Sequence, residues 1–263
     1  MNARILVAED NPANREVALG ILKKLGLRAD AVTNGADAIS ALESIDYDLV
    51  VMDMRMPVMD GIEAARRIRS LDSAVRNHQV PIVAMTANAM ESDWRSCIAV
   101  GMNDFVVKPV SVATLRDTLK KWLPTGVTAI PATASPPVSS PTTESEMAVF
   151  DPASVLSRLE GDIALAQIVF ETFLEDLSSQ IQALKKLVAV REAAGCARQA
   201  HSIRGAAANA GGESLRKLAA EMEKAADAGD WGLVITRMDE LERQFRLLSE
   251  AIKENERTSR SNR

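Results

Sequence analysis

The chain has 263 residues, room for about two domains at roughly 150 residues each, and its 47% apolar and 25% charged content is ordinary for protein that buries a core. A net charge of −5 with no large basic block argues against nucleic acid as a partner. No stretch approaches the ~20 apolar residues of a membrane span and the N-terminus lacks a signal-peptide pattern, so a soluble, cytoplasmic chain is expected. Cys97 and Cys196 have no metal-ligand spacing and read as reduced thiols.

In chain order, five short apolar runs come first: ARILVAED, RADAVT, DLVVMD, PIVAMT and DFVVKP, each followed by an amphipathic helical stretch. Strand alternating with helix implies right-handed crossovers and a parallel sheet covered on both faces. Five strands over residues 1–124 suit an α/β, flavodoxin-like sheet of order 2-1-3-4-5, whose crevice opens at the carboxyl ends of strands 1 and 3. Chemistry-bearing residues stand at those ends: Glu9 and Asp10 after strand 1, Asp53 after strand 3, Thr86 after strand 4 and Lys108 after strand 5. Converging carboxylates repel one another unless a cation joins them, and an all-oxygen set suits Mg²⁺. Carboxylate, metal, hydroxyl and ammonium together form an electrostatic clamp for phosphoryl transfer.

Residues 125–149 read as a linker. The stretch TGVTAIPATASPPVSSPTTESE from Thr125 to Glu146 is rich in Pro, Ser, Thr and Ala and lacks periodicity. Residues 150–256 are all helical in pattern. Asp151 followed by Pro152 is a helix start. Helical periodicity then covers 162–190, 192–210, 213–228 and 231–254, which predicts a four-helix bundle with short connections. Residues 257–263 are expected to be a disordered tail.

His201 lies inside the second of those helices. Arg204 and Gly205 share its face, and Ala206, Ala207 and Ala208 continue with small side chains. This face is expected to be exposed, open to another protein's loops, with Arg204 able to stabilise a phosphoryl group. Asn209 and Gly211 stand near the helix end, where structural roles are expected. His78, in the polar loop RNHQVP, is read as a bystander. An aspartate and a histidine are the side chains that exchange phosphoryl groups reversibly, so one on each half suggests a relay.

The first half resembles a response-regulator receiver domain through EDN at 9–11, MDMRMPVMDG at 52–61, MTA at 85–87 and KP at 108–109. The resemblance implies that Asp53 is the phosphoacceptor and that Glu9 and Asp10 hold Mg²⁺ together with Asp53 and the backbone carbonyl of Arg55. It also implies that Thr86 and Lys108 contact the phosphoryl oxygens, that Phe105 is an aromatic switch, and that the Lys108–Pro109 bond is cis. Arg55 departs mildly from the polar residue common in the family.

The second half resembles a histidine-containing phosphotransfer domain through AHSIRGAAANAGG and SLRKLAAEMEKAADAGDW. This implies that His201 carries the phosphoryl group, with Arg204 where lysine is more common. The tandem resembles the C-terminal part of a hybrid sensor histidine kinase. A sensor histidine kinase is then the expected donor to Asp53, and a separate response regulator the partner of His201. No glycine-rich ATP-binding module is present, so autophosphorylation from ATP is not expected. One alternative is a phosphorylation-switched receiver whose bundle docks partners without transfer. A phosphatase of the haloacid-dehalogenase type is another, but that fold wants its nucleophile after the first strand and a second Asp where Arg55 stands.

Overall fold

The computed structural model describes residues 3–87, 91–123 and 149–261, so nearly all of the expected linker at 125–149 lies outside the described residues. The chain divides into two compact units, Met1–Pro137 and Val138–Arg263.

In the first unit, strands β1 (Arg4–Ala8), β2 (Arg28–Val32), β3 (Leu49–Asp53), β4 (Ile82–Thr86) and β5 (Asp104–Val107) alternate with helices α1 (Pro12–Lys24), α2 (Gly35–Ser44), α3 (Gly61–Arg69), α4 (Glu91–Ala99) and α5 (Val112–Trp122). The sheet is parallel throughout, in the order β2-β1-β3-β4-β5. Every residue of β3 and β4 is buried. Their unbroken apolar runs are those of strands covered on both faces by helices. One core cluster gathers Leu6, Val50, Met52, Ile68 and Ile82.

Caps direct the chain from strand to helix. Asn11, Asn34, Asp60 and Ser111 each accept a hydrogen bond from the backbone N–H three residues on, at 2.8, 2.9, 2.8 and 3.0 Å. Each satisfies an orphan donor of the first helical turn and fixes where that helix begins. The ladders also extend one step past the strands. Glu9 N donates to Val32 O at 3.0 Å, Met54 N to Met85 O at 3.2 Å and Lys108 N to Thr86 O at 2.7 Å. The chemistry-bearing residues are thereby held level at one rim of the sheet.

The opposite rim is tied by Arg69 at the end of α3. Its guanidinium donates to Gly101 O, His78 O, Val80 O and Asn103 Oδ1, all within 2.9 Å. His78 is part of this tie, with Nδ1 2.9 Å from Ile68 O.

The second unit contains α6 (Pro152–Arg158), α7 (Ile163–Ala189), α8 (Ala193–Asn209), α9 (Glu213–Asp227) and α10 (Trp231–Ser261). Asp151 caps α6, accepting from Ser154 N at 2.9 Å with Pro152 in the first turn. The four longer helices pack in a ring, α7 on α8, α8 on α9, α9 on α10 and α10 on α7, with Phe173, Leu177, Ile203, Met222, Leu241 and Leu248 buried among them. The short α6 begins at the expected Asp151–Pro152 start and precedes the expected four. The expected disordered tail at 257–263 is helical through Ser261. Arg257 pairs with Glu254 at 3.6 Å and Thr258 Oγ1 donates to Glu254 O at 3.0 Å, so solvated side chains prolong a helix that has no terminating Gly or Pro. Among the described residues no helix is long and apolar enough to cross a membrane.

Candidate functional site

At the carboxyl rim of the sheet, Glu9, Asp10 and Asp53 bring carboxylate oxygens within 4.8 Å of one another. Glu9 and Asp53 are buried, at 0% and 2% exposure. Lys108, whose side chain is 5% exposed, reaches from the end of β5 to stand 2.6 Å from Glu9 Oε2 and 2.9 Å from Asp53 Oδ2. The other Glu9 oxygen accepts from Asn14 Nδ2 at 2.9 Å and Asn11 N at 3.3 Å. Asp53 Oδ1 accepts from Arg55 N at 3.4 Å. Each carboxylate lies where strand and loop meet, so its position is set by the sheet rather than by a mobile side chain.

The electrostatics follow from crowding. Burial, reinforced by repulsion from Asp53, pushes Glu9 up to about 7 against the pull of Lys108 and Asn14. Burial and the same repulsion push Asp10 up to about 6. For Lys108 burial works against the charge, yet Asp53 and Glu9 hold it above the usual lysine value. Three acids and one base leave a surplus of negative charge in a low-dielectric crevice. A set of hard oxygen donors at this spacing fits Mg²⁺.

Of the remaining expected residues, Thr86, Arg55 and the Lys108–Pro109 bond lie at this rim, while Phe105 pairs with Ala84 inside the sheet. Thr86 is buried at the end of β4, in register with Val107. Phe105 is partly buried in β5, its ring centroid 5.2 Å from that of Trp94 in α4. The Lys108–Pro109 peptide is cis. Arg55 is exposed. Two supporting residues are absent from the sequence reading. Asn14 braces Glu9, and Arg15 Nη1 donates to the carbonyls of Glu9 and Asp10 at 3.1 and 3.3 Å, tying down the loop that presents both acids. A polar pair one turn after the cap Asn11 is the signal that marks them.

In the second unit His201 departs from expectation. It is buried, at 9% exposure, and so is Arg204. The physical reason is a carboxylate on the neighbouring helix. Glu223 in α9 places Oε1 2.9 Å from His201 Nδ1 and Oε2 3.0 Å from Arg204 Nη1. The small side chains around the histidine are also turned inward. Ala200, Ala206 and Ala207 are at most 1% exposed, on a helix packed against both α7 and α9. Nε2 of His201 has no hydrogen-bond partner among the described residues.

Glu223 is a further residue of the candidate site that is absent from the sequence reading. It is 4% exposed and shares the buried face of α9 with Leu215, Ala219, Met222 and Ala226. A carboxylate in an apolar helical register is the signal that betrays it. At the end of α8, Arg158 donates to Ala208 O at 3.1 Å and Asn209 O at 3.0 Å, with Asn209 Oδ1 3.4 Å away. Gly211 takes φ +75°, and a Cβ there would stand 2.6 Å from Asp151 O. Asn209 thus joins the histidine helix to the end of α6, and Gly211 joins it to the start.

Comparison with known proteins places both units. Residues 5–120 match the response regulator receiver domain, and residues 169–254 match the Hpt domain. The chain belongs to the two-component phosphorelay proteins, as a receiver domain followed by an Hpt domain. It is similar to the sensor histidine kinase GacS of Pseudomonas protegens, 30% identical over 94% of this chain and 27% of that protein. Histidine kinase 5 of Arabidopsis thaliana is 40% identical over 46% of this chain and 16% of its own length. The chain thus spans about a quarter or less of these curated relatives. A solved structure, the receiver domain of sensor histidine kinase PA1611 from Pseudomonas aeruginosa PAO1 with a magnesium ion coordinated in the active site cleft, is 40% identical; it covers 46% of this chain and 98% of that one, with a TM-score of 0.42.

Proposed function

We propose that Asp53 accepts a phosphoryl group from the phosphohistidine of a sensor histidine kinase, and that His201 carries one to or from a response-regulator aspartate. The observation that carries this reading is the buried Asp53 carboxylate, held 2.9 Å from Lys108 beside two further acids. A carboxylate oxygen attacks phosphorus, the P–N bond of the donor breaks, and the imidazole leaves with the bond's electron pair. Little covalent chemistry falls to the protein, so positioning and charge neutralisation dominate. Lys108 is aimed at the acceptor oxygen and Thr86 sits on the same rim, as suits contacts to phosphoryl oxygens. Glu9, Asp10 and Asp53, with the carbonyl of Arg55, would hold Mg²⁺, which neutralises phosphoryl charge when bound. Phe105 is assigned the switch role.

At the second site Arg204 lies beside His201 and supplies charge for the arriving phosphoryl group. A linker over 125–149 joins the domains 1–124 and 150–256 and keeps the two sites at high effective concentration. The reading puts the chain in the cytoplasm, where Cys97 and Cys196, neither in a disulfide, stay reduced.

The test is chemical. A small acyl phosphate with Mg²⁺ should label the chain in a base-labile adduct that Asp53→Asn abolishes, and in an acid-labile adduct that His201→Gln abolishes. Label that survives both substitutions overturns the assignment.

A further inference from the structure

We propose that Arg15 is a positioning residue of the acceptor site, whose guanidinium holds the turn that lets the adjacent carboxylates of Glu9 and Asp10 share one divalent cation. Asn14 completes the hold on the Glu9 side chain. The proposal rests on the reading of Glu9, Asp10 and Asp53 as a Mg²⁺ site.

Successive side chains of a strand leave on opposite faces. Adjacent carboxylates therefore converge only where the chain stops being extended between them. Glu9 and Asp10 do converge, with oxygens within 4.8 Å of each other and of Asp53. Glu9 N still makes the last ladder bond, to Val32 O at 3.0 Å, and the chain bends at Asp10. Arg15 grips that bend. One nitrogen, Nη1, donates to Glu9 O at 3.1 Å and to Asp10 O at 3.3 Å. Both bonds are charge-assisted, and a guanidinium keeps its charge at any working pH.

The arm starts from a fixed base. Arg15 N donates to Asn11 O at 3.0 Å, and Asn11 Oδ1 caps the same helix turn through Asn14 N at 2.8 Å. Asn14 Nδ2 also donates to Glu9 Oε1 at 2.9 Å, while Lys108 holds Oε2 at 2.6 Å. The Glu9 carboxylate is thus held by both oxygens. Among the described residues Arg15 pairs with no carboxylate. Its charge is spent on the backbone, so removing it unpairs no acid and acts through geometry. Partners one step behind the ligands set the affinity of a metal site.

Titration of the full chain with MgCl₂, followed by amide NMR, reads that affinity without any phosphoryl donor. Arg15→Met should bind roughly 10- to 100-fold more weakly than wild type. Arg15→Lys keeps the charge but loses the planar fork, and it should recover only part of the affinity. Thermal melts separate positioning from simple loss of stability. The rise in Tm on adding MgCl₂ should shrink in Arg15→Met, whereas a merely structural residue lowers Tm equally with and without the ion. A folded Arg15→Met variant with wild-type affinity and a wild-type rise in Tm overturns the proposal. So does Arg15→Lys with full wild-type affinity, since charge alone would then suffice; this variant decides the matter if Arg15→Met does not fold. Wild type that binds no Mg²⁺ overturns the metal reading itself, and the assignment of Arg15 with it.

Discussion

A Cβ placed on Gly61 would stand 2.3 Å from the backbone carbonyl oxygen of Asp53. The start of α3 is thus laid against the end of β3 at a distance only glycine permits, and Gly61 N donates to Met54 O at 3.2 Å. Gly61→Ala has to push the acceptor loop away from the helix. We expect it to cost about 1–3 kcal/mol in urea unfolding of the first unit, and to slow labelling of Asp53 by a small acyl phosphate.

Raised carboxylate values at Glu9 (about 7) and Asp10 (about 6) give a signed pH dependence. Over the window between the ordinary values, 4.5 and 3.8, and these raised ones, the folded state binds more protons than the unfolded state. Stability of the metal-free unit therefore falls as pH rises from about 4 to 7, by up to a few kcal/mol. Magnesium ion competes with those protons, so its affinity should weaken as pH drops below about 6. Thermal melts across pH with and without MgCl₂ check both slopes.

Lys108 is a buried cation between two acids. Replacing it with methionine leaves Glu9 and Asp53 facing each other without it, which should cost about 3–5 kcal/mol in metal-free buffer near pH 8. A divalent cation supplies the missing charge, so added Mg²⁺ should restore more stability to Lys108→Met than to wild type. Equal Mg²⁺ responses in differential scanning calorimetry would count against the electrostatic role given to this lysine.

Arg158 holds the C-terminal carbonyls of the histidine helix, and burial pushes its guanidinium down to about 10. Arg158→Met removes charge-assisted hydrogen bonds to Ala208 and Asn209 worth about 1.5–3 kcal/mol. Amide exchange should quicken in the last turn of α8 and the start of α6. Exchange in the first unit should stay unchanged.

The receiver half of the fold was legible because its signals are local. Unbroken apolar runs at 49–52 and 82–85 mark strands buried on both faces. The rim residues were legible for the same reason, since a polar side chain directly after an apolar strand can only stand at the sheet's edge. The histidine site was half legible. Arg204 follows from helical spacing, but Glu223 comes from another helix, 22 residues away, and its contact exists only once α8 and α9 pack. The expected exposure of His201 failed on that point: Ala206 and Ala207 were read as part of an open face and are buried. The length of α10 was underestimated because its charged end carries no stop signal.

The central claim is that Asp53 and His201 are two stations of one phosphoryl path. The most direct measurement follows label with time in the wild-type chain and in Asp53→Asn after addition of a small acyl phosphate and Mg²⁺. The account predicts base-labile label at Asp53 first, acid-labile label at His201 later, and none at His201 in Asp53→Asn. Label that stays on Asp53 at long times, or that reaches His201 equally well without Asp53, would contradict it.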